Sequence, residues 1–205
     1  MEQKVKMNIT KAIRDKIKKE VDIDEILPDK LPVYVSSFVY MFGIITLASL
    51  IVVILSGFIM VSKGVLWYQT SSLGFFFRSM HFWGVQVFFF FLTLHFLTIF
   101  FMAGWRGGRA ITWIIGIFIA MFAIIETFMG ILLQGGSFAQ WNQVQAKDAF
   151  NAVGITSFLN LLNNGQLEGL HFVVFPSILV LLVGIHIFLV RQKGLVPPIE
   201  DNKNG

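Results

Sequence analysis

Polar positions crowd into the first thirty residues and a few short connections, and the rest of the chain is apolar. A helix needs roughly 20 apolar residues to cross a bilayer, and four stretches meet that need. The first lies between Lys30 and Lys63, with a helix expected over about 33–61. The second holds no Asp, Glu, Lys or Arg between Arg78 and Arg106. The third runs from Ala110 towards Leu133, and the fourth from Gly169 to Val190. Only helices and closed barrels satisfy the backbone in lipid. The pattern therefore predicts an all-α membrane protein, a bundle of four transmembrane helices.

Outside the spans the periodicity changes. Ile9, Ile13, Ile17 and Val21 recur in four-residue steps among charges of both signs, the mark of a helix with a narrow apolar stripe. Residues 1–30 are read as an amphipathic N-terminal segment on the cytoplasmic membrane surface, with a solvated tail as the alternative. The bundle is expected to occupy residues 31–193, followed by a short cytoplasmic tail, 194–205. The connection from Leu133 to Glu168 is the longest and least apolar. Its Phe138, Trp141, Val144, Phe150, Val153 and Phe158 predict one or two short amphipathic helices lying on the membrane.

Composition agrees: 56% of the residues are hydrophobic and 23 are Phe. The absence of cysteine excludes disulfides, iron–sulfur ligation by this chain and haem attached through a thioether. The net charge of +4 carries no sign of nucleic acid and is instead a topology signal. With the N-terminus in the cytoplasm, Lys63, Arg78 and Lys147 are the basic residues left on the outer side. That asymmetry fits the positive-inside rule, with both termini cytoplasmic. No cleaved signal peptide is expected, because the first apolar run begins so late.

Candidate chemistry lies inside the spans. All four histidines fall in two pairs: His81 and His95, fourteen residues apart, and His171 and His186, fifteen apart. Fourteen residues rise about 21 Å along a helix, so each pair places one ring near each bilayer face. Polar groups in lipid are costly and usually functional, and histidine is a standard axial ligand of haem. Two such helices can clamp two planar cofactors, one per leaflet; four unrelated packing histidines is the alternative. Gly43 and Gly57 repeat the fourteen-residue interval in the first span, and Gly116 and Gly130 repeat it in the third. Helices alternating in direction bring Gly43 and Gly116 to the level of His95 and His186. Gly57 and Gly130 then share the level of His81 and His171. A flat macrocycle pressed against a helix needs a residue without a side chain at such a level. Glu126, the one acid within a span, has two readings: a proton relay, or a packing group bonded to a neighbouring helix.

These residues together resemble cytochrome b of the quinol-oxidising bc-type complexes, in its short, split, four-helix form. The resemblance runs from about Val33 to Pro198. It rests on Arg78-Ser-Met-His81, His95, Gly104-Trp-Arg106-Gly-Gly-Arg109, Leu170-His171, Pro176, His186, Arg191-Gln-Lys-Gly194 and both glycine pairs. It implies two b-type haems with bis-histidine ligation, His81/His171 outer and His95/His186 inner. It also implies that Arg78 lies near the outer haem's propionates, and Arg106, Arg109 and Arg191 near the inner haem or a quinone-reduction site. Four features depart from the family. Gln140-Trp141-Asn142 stands for its Pro-Trp-Asp segment, Thr98 stands where an arginine is usual, Phe82 follows His81, and no cysteine lies near the first span. The Pro-Glu-Trp-Tyr motif of the outer quinol site is missing as well.

The leading expectation is the dihaem electron-transfer subunit of a quinol oxidoreductase in a prokaryotic cytoplasmic membrane, not catalytic alone. Expected partners are a Rieske protein, a separate three-helix subunit carrying Pro-Glu-Trp-Tyr, a cytochrome c, membrane lipid and a second complex in a dimer. Two alternatives stand: a dihaem anchor linking the quinone pool to another dehydrogenase or reductase, and a haem-free scaffold or transporter component.

Overall fold

A computed structural model describes residues 37–198. The amphipathic segment expected over residues 1–30, the first residues of the bundle and the end of the tail lie outside the described residues. A 3-10 turn, Phe38–Tyr40, leads into α1, Met41–Lys63. There follow α2, Val65–Thr70; α3, Ser72–Phe101; α4, Ala110–Leu132; and α5, Gly136–Ala152. Then α6, Asn164–Gly169, continues through a π-turn, Leu170–Val174, into α7, Phe175–Lys193. The described residues contain four helices long and apolar enough to cross a membrane: Phe38–Lys63, Ser72–Phe101, Ala110–Leu132 and Asn164–Lys193.

Two of these begin earlier than the charge pattern predicts, for local reasons. The Ser71 hydroxyl accepts from Gly74 N at 2.9 Å and caps α3, so the helix starts six residues before Arg78. Asn163 likewise accepts from Gln166 N at 3.2 Å and starts α6 ahead of Gly169.

The spans pack as two pairs, α1 on α3 and α4 on α7. The pairs meet in a buried midlevel core of Leu50, Phe88, Ile119, Ala123 and Leu179. Leu50 stands seven residues from both Gly43 and Gly57, and Phe88 seven from both His81 and His95. The core therefore separates an upper level from a lower one. A second cluster of Met129, Leu132, Ala146, Leu161 and Leu167 fastens α5 and its flanking turns over one end of the bundle. In α5 the small residues Ala139 and Ala146 face inward, while Phe138, Trp141 and Val144 remain exposed. The amphipathic connection thus holds one helix of 17 residues, followed by a 3-10 turn, Ile155–Ser157. Along the spans Phe58, Phe101 and Ile111 are about 70% exposed, the apolar exterior expected of a lipid-facing surface.

The π-turn resolves the unequal histidine intervals. Fourteen helical residues return a side chain to within about 40° of its start, whereas fifteen overshoot to about 60° on the other side. Widening one turn at Leu170–Val174 absorbs the additional residue, and His171 lies inside it. Pro176 just beyond has no N–H to give the preceding turn, which favours the rearrangement there.

Candidate functional site

Each histidine lies against a glycine of its paired helix. A Cβ added at Gly57 would sit 3.2 Å from His81 Cε1, and one at Gly43 would sit 3.1 Å from His95 Cε1. At Gly116 the atom met is His186 Cε1 at 3.2 Å, and at Gly130 it is His171 Cε1 at 2.8 Å. The glycines therefore make room first for the imidazoles themselves. With no Cβ in the way, the ring lies flat on the helix and reaches a carbonyl one turn back. His81 Nδ1 donates to Val53 O at 3.0 Å, His171 Nδ1 to Glu126 O at 3.2 Å and His186 Nδ1 to Thr112 O at 3.1 Å. Val53, Glu126 and Thr112 stand four residues before Gly57, Gly130 and Gly116. His95 meets Gly43 without this bond, because the residue four before Gly43 is Val39, inside the 3-10 turn where the helical ladder has not begun.

A carbonyl only accepts, so Nδ1 carries a proton in these three rings, which in the neutral imidazole leaves the lone pair on Nε2. That is the tautomer a metal-binding histidine uses, with its other nitrogen fixed by a second group.

His81 and His171 face each other across the bundle with ring centroids 6.3 Å apart and planes at 90°. A nitrogen donor sits about 2.0–2.1 Å from its metal and about 1.1 Å from the imidazole centroid, so opposed rings on one ion have centroids about 6.2–6.4 Å apart. The pair has that spacing. Each level offers two imidazoles, half the donors a bare tetrahedral ion takes. A macrocycle that brings its own in-plane nitrogens needs only two axial ones. The donor set therefore fits haem.

The surrounding space differs between levels. A cavity of about 820 Å³ opens beside His81 and His171, lined also by Gly57, Gly130, Arg78 and Glu126. Cofactor clefts commonly hold several hundred Å³. Tyr68 joins Arg78 at its mouth. Burial pushes the Tyr68 phenol up, Arg78 pulls it down and Glu168 adds to the rise, so it remains an O–H donor at neutral pH. Beside His95 and His186 the cavity is about 110 Å³, lined by Gly116, Arg109, Gly104 and the segment Gly194–Val196.

Arg109 is largely engaged with backbone, donating from Nη2 to Lys193 O at 2.9 Å and from Nε to Gly194 O at 3.2 Å. It caps the C-terminal end of α7, where a cation suits the free carbonyls. Tyr40 OH donates to Val196 O at 2.6 Å, so both ends of the described chain meet on one face. Arg106 and Arg191 are exposed and do not line the smaller cavity. Glu126 reaches the neighbouring helix, its Oε1 lying 2.9 Å from His171 Nδ1. Gln140, Trp141 and Asn142 lie within α5, away from the larger cavity, which takes Gln134 and Phe138 from that region.

Sequence reasoning missed Tyr68 and Ser56. Ser56 is fully buried and its Oγ lies 3.2 Å from His81 Nδ1. Its place beside Gly57 was the available signal. Tyr68 follows Trp67 in a short connection without periodicity and gave none.

Comparison with known proteins gives the same picture. The family described as cytochrome b(N-terminal)/b6/petB matches residues 86–205. The cytochrome b6 of Heliomicrobium gestii is 22% identical over 133 residues, 60% of this chain and 62% of that protein. The menaquinol:cytochrome c reductase cytochrome b subunit of Geobacillus thermodenitrificans is 26% identical over 187 residues, covering 80% of this chain and 84% of that one. A chain of a hyperthermophilic respiratory complex III shares the fold at a TM-score of 0.70 and 24% identity, over 95% of this chain and 56% of that chain. The chain thus spans less than two thirds of some relatives it matches. On the family match over more than half its length, together with the four-helix fold, the chain belongs to the cytochrome b N-terminal/b6 family.

Proposed function

We propose that this chain is the dihaem subunit of a bc-type quinol oxidoreductase in a prokaryotic cytoplasmic membrane. In this reading His81 and His171 hold an outer haem b, and His95 and His186 an inner one. The observation that carries the reading is the 6.3 Å separation of His81 and His171 together with Nδ1 bonds that leave their Nε2 atoms free. When bound, each haem supplies a one-electron ferric–ferrous couple. The chain's own residues do the rest. Gly43, Gly57, Gly116 and Gly130 let the imidazoles lie against their helices, and Val53, Glu126 and Thr112 fix the tautomer. Arg78 and Tyr68 offer a guanidinium and a phenol to the haem's carboxylates, a pairing that suits arginine. The midlevel core keeps water from running between the levels.

Electrons pass in this reading from an outer quinol to an inner quinone, with both termini cytoplasmic and residues 31–193 forming the working domain. Arg109 stands at the inner cavity, and Arg106 and Arg191 stand on the inner face. Two relatives named as menaquinol:cytochrome c reductase subunits support a cytochrome c as partner; the reading adds a Rieske protein, a separate three-helix subunit and a dimer of complexes.

The test is pyridine-haemochrome analysis of the purified protein with identification of its co-purifying subunits. Two haems per chain, together with a Rieske protein, are expected; fewer than two overturn the dihaem reading. The altered segment Gln140-Trp141-Asn142, held within α5 and absent from the lining of the larger cavity, favours a second reading, a dihaem anchor for another dehydrogenase or reductase. A molybdopterin or multihaem subunit in place of the Rieske protein would decide for it.

A further inference from the structure

Of the three histidines with a bonded Nδ1, His171 differs. The residue four before the glycine gives a backbone carbonyl in each case, and at Val53 it gives nothing more. At His186 the partner among the described residues is Thr112 O, at 3.1 Å. His81 adds the neutral Ser56 hydroxyl at 3.2 Å. His171 alone adds a carboxyl group: Glu126 Oε1 at 2.9 Å, nearer than the same residue's own carbonyl at 3.2 Å. Glu126 is committed to this contact. Its other oxygen, Oε2, is buried without a hydrogen-bond partner among the described residues. Both side chains are mostly enclosed, with 14% of Glu126 and 18% of His171 exposed.

We propose that Glu126 sets the potential of the outer haem: by accepting the His171 Nδ1–H it strengthens Nε2 as a donor and lowers that haem's midpoint potential. The inference rests on the dihaem reading above. A carboxylate is a stronger acceptor than an amide carbonyl, and its bonds are shorter. Acceptors on the second nitrogen of a ligand histidine raise its basicity and orient its ring. Greater donation stabilises ferric over ferrous iron. The couple concerned is the one-electron reduction of iron(III) to iron(II), the electron coming from quinol in the enzyme and from a chemical reductant in a titration. No bond of Glu126 is made or broken. Hydrogen bonding around the axial ligand is one of the recognised controls of haem potential. Glu126 is thus a positioning residue acting through His171.

The experiment is mediated redox titration of the full chain in its complex, using dithionite and ferricyanide at one fixed pH. It compares wild type, Glu126→Gln and Glu126→Asp, with haem content and the ferric electron paramagnetic resonance spectrum of each haem recorded alongside. The expected result for Glu126→Gln is two haems per chain, an upward shift of the outer midpoint, altered g-values for that haem and an unmoved inner midpoint. Two haems with both midpoints at wild-type values overturn the proposal and leave the dihaem reading standing. Equal shifts at both haems also overturn it, because they report a general loosening. Fewer than two haems in the wild type overturn the dihaem reading and the proposal with it. If the Gln variant loses its outer haem, Glu126→Asp decides. One methylene shorter, it loses the 2.9 Å contact and must still raise the outer potential. A wild-type potential there, or loss of the outer haem from both variants, overturns potential setting and leaves Glu126 as a holding group.

Discussion

At the level of His81 and His171 the rings are wrapped in polar support; at the level of His95 and His186 they are closed in by chain. His81 meets Val53 O and Ser56, His171 meets both acceptors of Glu126, and the cleft beside them measures about 820 Å³. His186 has Thr112 O, His95 rests on Gly43 without a carbonyl bond among the described residues, and Gly194–Val196 lines a cavity of about 110 Å³. The shared part is the glycine opposite each ring, which decides where the imidazole lies. The part that differs sets the surroundings that a group held there would meet. Duplication of one device thus yields two sites of different polarity and access.

The strongest way to break the comparison is to remove one ligand from each level. His171→Ala should abolish the outer haem, and His186→Ala the inner one, each leaving about one haem per chain by pyridine haemochrome. Loss of both from either variant would show that the levels do not load independently.

A finer comparison uses the glycines. Gly130→Ala puts a methyl group 2.8 Å from His171 Cε1, closer than the 3.2 Å at Gly116 and His186. The ring must leave its carbonyl, at a cost of about 1 kcal/mol or more. Outer haem retention in detergent should fall several-fold, while Gly116→Ala should weaken inner retention less. Equal losses would remove the distinction.

The mildest variant addresses the inner level alone. Arg109→Ala releases the Lys193 and Gly194 carbonyls and should cost about 1–2 kcal/mol. Heating the purified protein while following each haem's absorbance should show earlier release from the inner level. Earlier release of the outer haem would count against the capping role of Arg109.

Much of this was legible because lipid imposes long uncharged runs and because rare residues recur at fixed intervals. The third span, Ala110–Leu132, ends within a residue of expectation, and the shared levels of glycines and histidines follow from intervals and helix direction, whereas the sequence predicts the glycines against a macrocycle rather than against the imidazoles. The other helix starts were hidden because caps such as Ser71 and Asn163 sit outside the uncharged windows. The π-turn was hidden because counting residues assumes a constant rise and rotation, which Leu170–Val174 does not keep. The partner of Glu126 lay beyond reach for a different reason. Two helices 45 residues apart had to be rotated about their own axes before its side chain could be aimed.

The midlevel cluster of Leu50, Phe88, Ile119, Ala123 and Leu179 has an electrical meaning too. A membrane that stores energy as a voltage is a charged capacitor, and every elementary charge leaking across 100 mV forfeits about 2.3 kcal/mol. A bundle with one cavity towards each face is the shape most exposed to such a leak. Five apolar side chains drawn from all four spans form the insulator between the plates.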